Sequence, residues 1–408
     1  MSFFSIRQAL AAFCVAVMVS ACGGSGSSAP PPAGGITVTP GDGTATVTWT
    51  SAPDVKYWLF YAPSTSITST DWINIPGSRA LLNVTSPYVV TGLANGYTYS
   101  FTVNGRNGDG PGGAGSPSVS IVPRPAGEFW TPGSALGSNT IRNISYGTGT
   151  DLIGYYVAVG DAGSTYRSTD GKAWTALPVA ANTNLNASIY TFSKFIAVGA
   201  GGTVAYGTDM STWTAAASNT TEALNAIASN GVLAVAVGTN GTAIKSADGI
   251  TWTAVAMPTT RHLRSITYSS NGIWVAVGAG GTLLTSPDGS TWTAVASGTS
   301  ADLNAVSVQI VTSYTFLAAG NGGTILRSTD NGVTWTTQSS GTTADLYAVS
   351  PASSQLMTAG SGGTVLTSPD GITWTRRSTG TTATLYSVIS GLAQYVAVGQ
   401  GGISLVSQ

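Results

Sequence analysis

The 408-residue sequence predicts an all-β chain, a β-sandwich followed by a seven-bladed β-propeller. Three observations lead there. A short segment ending in glycine recurs seven times in the C-terminal two thirds, at near-constant spacing. Short apolar runs from Ile36 onward alternate in the strand period of two, with turn residues between them. Charged residues make up 8% of the chain while glycine reaches 53 positions, roughly twice its usual share, the composition of many strands joined by tight turns.

The N-terminus reads as an export signal over residues 1–21. Arg7 precedes an apolar run from Ala9 to Val19 that is too short to span a bilayer, and Val19-Ser20-Ala21 leads into Cys22. These residues resemble a bacterial lipobox. The resemblance implies lipidation of Cys22, loss of Cys14 with the signal, and, with Gly23 rather than an aspartate after the cysteine, an outer-membrane address. The other reading is an ordinary secretory signal cut after Ala21. Either way the mature chain is expected to hold no internal disulfide. Residues 22–35, rich in Gly, Ser, Ala and Pro, are expected to act as a flexible tether.

Residues 36–124 carry the sandwich pattern. Trp49 lies in the alternating ATVTWT; Tyr57, Leu59 and Tyr61 alternate in the next strand; Tyr99, Phe101 and Val103 alternate in a late one. The series Leu93, Gly96, Tyr99, Phe101, Val103, Asn107 and Gly110 resembles the late signature of fibronectin type III domains, a leucine six residues before a corner tyrosine. Such domains are mostly spacers. The stretch NGRNGDG lacks a contiguous Arg-Gly-Asp, so integrin-type adhesion is not implied.

Residues 128–408 carry the repeats, which end at Gly160, Gly199, Gly238, Gly278, Gly320, Gly360 and Gly399, 39 to 42 residues apart. Each is followed by a glycine turn, a strand, a compact turn before a tryptophan, and a last short strand. Four strands in that length make a propeller blade. Trp130 has no such turn before it, and the last copy stops at Gln408 where one would begin. The strand around Phe129 to Thr131 should therefore complete the sheet whose other strands come from Leu385 to Ser407.

Six turns recur around Asp170, Asp209, Asp248, Asp288, Asp330 and Asp370. They resemble the Asp-boxes, or BNR repeats, of sialidases, some glycan hydrolases and photosystem II assembly factor-like propellers. The resemblance implies structural aspartates on the face away from any active site. The copy at Asp330 has the full spacing of that family, four others are one residue shorter, and the one at Asp209 lacks the glycine. Sialidase activity is not implied. The segment EFWTPGSALG holds no Arg-Ile-Pro motif, and residues 128–408 contain only Glu128 and Glu222 to serve as the glutamate of a tyrosine pair.

A site is expected at the ring end that holds the loops before each inner strand. With the repeats aligned on the residue opening that strand, the next position is Arg142, Asn186, Asn225, Arg264, Asn304, Tyr347 or Tyr386. Seven such side chains would rim a central channel and suit recognition of hydroxyls, amides or carboxylates; the alternative is a solvated lining without a ligand. Just before these strands lie Glu222, Arg261, His262, Asp302 and Asp345. Asp302 and Asp345 are the candidates for a paired acid and base, against simple turn capping. His262 is the one histidine, so a histidine metal cluster is excluded and no metal or other cofactor is expected. A formal net charge of −1 offers no field for nucleic acid. The expected function is a non-catalytic, membrane-anchored envelope protein binding another envelope protein or a surface glycan. The alternative is a glycan-active hydrolase or lyase using Asp302 and Asp345.

Overall fold

The computed structural model describes residues 26–149, 151–178, 182–208, 212–310, 313–351, 355–391 and 394–407. The lipobox and Asp209 lie outside them. The chain divides into two compact units, Met1–Pro125 and Ala126–Gln408. Among the described residues every helix is a single 3-10 turn, and none is long and apolar enough to cross a membrane.

The first unit is a sandwich of eight strands: β1 (Ser27–Ala29), β2 (Ala33–Gly41), β3 (Thr44–Thr50), β4 (Val55–Ala62), β5 (Arg79–Val84), β6 (Tyr88–Thr91), β7 (Tyr99–Asn107) and β8 (Val119–Ile121). One sheet runs β1-β7-β4-β5 with β8 also on β7; the other runs β2-β3-β6. The alternating residues meet between them: Trp49, Tyr57, Leu59, Phe101 and Val103 are buried, and the Trp49 and Tyr57 rings pack at 5.7 Å. The Tyr99 hydroxyl accepts the Ala94 N–H at 3.2 Å, pinning the corner beside buried Leu93.

The tether expectation needs correction. The chain joins the sheet at Ser27, ahead of Ile36, because Ser27–Ala29 pairs with Asn107, Arg106 and Gly105 of β7. Small residues make this pairing possible. A Cβ on Gly26 would lie 2.3 Å from the Asn107 carbonyl, so composition that reads as flexible here serves close backbone approach.

The second unit is a seven-bladed propeller of seven four-stranded antiparallel sheets. Blade 4 is representative, running outward from Leu263–Tyr268 through Trp274–Gly278 and Leu283–Ser286 to Thr293–Ala294. Each second strand is mainly apolar on both faces, with Thr315 of blade 5 and Thr358 of blade 6 among the buried exceptions, and its alternation serves two neighbours. Ala234 and Ala236 of blade 3 pack with Ile196 and Val198 of blade 2, while Val235 and Val237 pack with Leu263, Ile266 and Trp274 of blade 4. Every one of these side chains is at most 1% exposed except Ile266. Burying each valine stabilises by about 1.5 kcal/mol or more.

The turns between strands three and four explain the recurrent aspartates. In blade 4 the Asp288 Oδ1 accepts the N–H groups of Ser290 and Thr291 at 2.8 and 2.7 Å and the Ser286 hydroxyl at 3.0 Å. The Ser286 hydroxyl accepts in turn from Gly289 N–H. One carboxylate thus satisfies amides that a tight turn would leave unpaired. Glycine is needed after the aspartate of blade 3 for two reasons. Gly249 has φ +73, and a Cβ there would meet Ile196 of the preceding blade at 2.4 Å. Hydrogen-bond donors hold Asp248, Asp288 and Asp330 down at about 2, Thr251 N–H leading for Asp248, Thr291 N–H for Asp288 and the Thr334 hydroxyl for Asp330.

The last blade is composite, as the repeat boundaries require. Its strands are Leu385–Gly391, Gln394–Gly399, Ser404–Ser407 and Thr131–Pro132, with Thr131 opposite Val406 and Pro132 opposite Leu405. The chain entering the ring is held by several bonds. Gly127 N–H donates to the Ser407 hydroxyl at 2.8 Å, Gln355 Nε2 donates to the Ala126 carbonyl at 2.6 Å, and Arg377 pairs with Glu128 at 3.2 Å. The seam between blades 7 and 1 then packs like the others, Val396 and Val398 against Ile141, Ile144 and Tyr156. Burial pushes the Tyr156 hydroxyl up to about 12, and it donates to the Gly391 carbonyl.

Two predictions test this account. Ending the chain after Gly402 removes the partner of Thr131–Pro132, so limited proteolysis should cut between residues 126 and 140; resistance equal to the full chain would overturn the closure. Asp288→Asn keeps the turn's shape but loses the charge, and should lower stability by about 1 kcal/mol at pH 7 after allowance for solvent screening. A carboxyl at about 2 when folded and about 3.9 when unfolded contributes fully above pH about 4. Its contribution is lost as pH falls toward about 2. Thermal melts of the two proteins should therefore converge over that window.

Candidate functional site

All seven residues of the aligned rim position line a single axial cavity of about 230 Å³. A repeated backbone irregularity places them there. In every inner strand the opening residue pairs with the glycine that ends the second strand, the next residue is skipped, and pairing resumes one position later. In blade 4, Leu263 faces Gly278, Ser265 faces Val277, and Arg264 lies between them unpaired. Such a bulge releases one residue from the ladder and re-aims its side chain. Seven blades do this at the same register, so seven side chains converge.

The rim is held by hydrogen bonds from blade to blade. Asn186 donates through Nδ2 to the Leu224 carbonyl of the next blade at 2.9 Å, Asn225 to the Leu263 carbonyl at 2.8 Å, and Asn304 to the Leu346 carbonyl at 2.9 Å. Asn304 Nδ2 also donates to Asn321 Oδ1. Arg264 reaches Asn304 Oδ1 at 2.9 Å and Asp302 Oδ2 at 2.7 Å, and Arg142 Nε meets Asp161 Oδ1 at 2.5 Å. The Tyr347 and Tyr386 rings stand 5.3 Å apart with a 47° tilt, forming an aromatic arc. Burial, followed by the nearby Asp345 charge, raises the Tyr347 hydroxyl above its ordinary value, so it stays a neutral donor and acceptor.

Electrostatically the two arginines are matched by Asp161 and Asp302, with side chains between 29% and 38% exposed. The cavity thus presents guanidinium forks, carboxamides and phenols without a strong net charge. That chemistry suits a ligand rich in carbonyls or hydroxyls.

Asp302 and Asp345 do not line the cavity. Each caps the glycine turn of the preceding blade, Asp302 accepting Gly280 N–H at 2.7 Å and Asp345 accepting Gly322 N–H at 2.8 Å. Asn184 and His262 do the same for Ala162 and Asn240, so the position is a recurrent inter-blade cap. This is the turn-capping arrangement, and Asp302 is further bound to Arg264. Glu222 caps within its own blade, accepting from Thr239 and Asn240, whose hydrogen bonds hold its carboxyl below the usual range. Arg261 is exposed and lies over Gly280, where an added Cβ would meet it. Among the described residues no group of three or more His, Cys, Asp or Glu could hold a metal.

Sequence reasoning missed Asp161 and Asn321, which anchor the rim. Both occupy the first position after the repeat glycine, where other blades carry Ala, Thr, Ser or Gln. Aligning that turn would have exposed them.

Residues 29–122 match the family model of the fibronectin type III domain. No curated protein matches the chain. Among solved structures the chain is similar to one described as "YCF48 bound to D1 peptide", at 20% identity and a TM-score of 0.57 over 69% of this chain and 96% of that one. It is also similar to YCF48 from Cyanidioschyzon merolae, at 18% identity and 0.56 over 68% and 98%. The WD40 β-propeller domain of Doa1 follows at 11% identity and 0.55 over 69% and 97%. These likenesses concern the fold: the chain joins a fibronectin type III domain to a β-propeller.

Proposed function

We propose that the chain is a non-catalytic binding protein of the cell envelope, anchored by a lipid on Cys22, whose propeller takes a partner at the axial rim. One observation carries the reading. The repeats are nearly uniform in their apolar positions, yet at the bulged residue they diverge into two arginines, three asparagines and two tyrosines that share one cavity. Architecture alone requires no such variety. A similar propeller is described as bound to D1 peptide, and this favours an envelope protein over a surface glycan as the rim's partner.

The aspartate turns are read as Asp-boxes with a structural role, since their carboxylates are occupied by backbone amides. Strand alternation puts them on the ring end away from the rim. Asp302 and Asp345 are similarly occupied, which weighs against a hydrolase or lyase reading. Near-zero net charge weighs against nucleic acid. Gly23 after Cys22 favours the outer membrane, and acylation supplies the hold on lipid. The fibronectin type III domain acts as a spacer.

Two experiments test this. Cys22→Ser should move the protein from the membrane fraction to the soluble fraction and abolish palmitate labelling; unchanged membrane retention would sink the anchor. For the rim, in-cell crosslinking of the full chain should capture a partner that is lost when Arg142→Gln, Tyr347→Ala and Tyr386→Ala are combined, and kept with Asp288→Asn. Equal capture by the rim variant would overturn the site, and turnover of a polysaccharide by the parent protein would overturn the non-catalytic reading.

A further inference from the structure

Two further hollows on the propeller are not axial. Two grooves of about 680 and 480 Å³ flank one residue, Arg376, and both exceed the axial cavity. The first lies between the glycine turn Asn321–Gly323 of blade 5, its outer strand Thr336–Gln338 and the loop 339–343. The second lies between the glycine turn Ser361–Gly363 of blade 6 and the loop 378–382. Arg376, in the outer strand Thr375–Arg377 of blade 6, contributes to both.

The repeats act as an internal control. The residue facing the middle of the third strand from this outer position is Ala176, Ala215, Ala254 and Ala294 in blades 1 to 4, and Thr337 and Arg376 in blades 5 and 6. A blade therefore forms with alanine there, and the arginine has no architectural duty. Its neighbour Arg377 does have one, donating to the Thr367 hydroxyl and pairing with Glu128. Arg376 is exposed and makes no hydrogen bond or ion pair among the described residues.

Both grooves are lined by Gly, Thr, Ser, Gln and Arg alone. Neither offers an apolar pocket of the kind that anchors a peptide side chain. Hydroxyls, an amide and backbone groups match the hydroxyls of a sugar, and a guanidinium fork matches a carboxylate. We infer that the grooves on either side of Arg376 form a binding site for an acidic oligosaccharide, distinct from the axial rim.

Titration calorimetry on the full chain in detergent, with trigalacturonate as probe, tests the site. Saturable binding is expected, weakened at least tenfold by Arg376→Gln and by Thr337→Trp, which fills the first groove while leaving the charge. Methyl-esterified trigalacturonate should bind the parent no better than trigalacturonate binds Arg376→Gln. The combined rim variant should bind trigalacturonate like the parent, so this site and the rim stand or fall separately. Equal thermal midpoints for the parent and Arg376→Gln would show that the fold is intact. Absence of saturable binding, equal affinity in Arg376→Gln, or equally tight binding of tetraglutamate would each overturn the inference.

Discussion

The structure depends on the second strand of each blade being mainly apolar on both faces. A four-stranded sheet carrying Val235, Ala236 and Val237 at full burial cannot exist alone, because one face would always meet water. Stacking on a neighbour covers one face and exposes another until the ring closes. The composite seventh blade is the means of closure, and it makes the first and last described residues of the propeller mutually dependent. Glycine turns and aspartate turns follow from the same constraint. Radial packing brings backbone against backbone, as where a Cβ on Gly281 would lie 1.9 Å from the Thr299 carbonyl. Only tight turns with internally satisfied amides fit such spacing.

Closure also creates the axial cavity. Seven inner strands converge on one axis, and at that radius a regular ladder would leave little room for side chains. The bulge at each strand's start releases one residue to the cavity and leaves the rest to pair. Part of what this residue does is structural: Asn186, Asn225 and Asn304 each bond the next blade's backbone. The remaining variety, in Arg142, Arg264, Tyr347 and Tyr386, is where recognition is proposed. Positions that stitch blades together and positions proposed to read a ligand are thus the same register with different side chains.

The uniformity of the repeats makes departures informative. Where apolar positions repeat, packing explains them, and where one blade carries a different polar residue at an equivalent site, packing does not. Asp161, Asn321 and Arg376 are departures of this kind. The first two support the rim by pairing with Arg142 and Asn304, while Arg376 points to a second surface.

The architecture was legible in the sequence because strand period, glycine turns and repeat spacing are local signals, and because seven copies state the same rule. The rim position was legible for the same reason, since register in one repeat carries to the others. Repeat spacing also led to the expectation that the last blade is shared between the first and last strands of the propeller, as found. Tertiary structure decided what spacing cannot express. Ser27–Ala29 reads as tether but lies in a sheet, since its partner is some eighty residues away and small residues permit both outcomes. Asp302 and Asp345 read in sequence as an acid and base pair or as turn caps, and the approach of the preceding blade's turn assigned them to amide donors. The grooves beside Arg376 have no local signature either, because each concavity is made by a glycine turn, an outer strand and a following loop that only folding brings together.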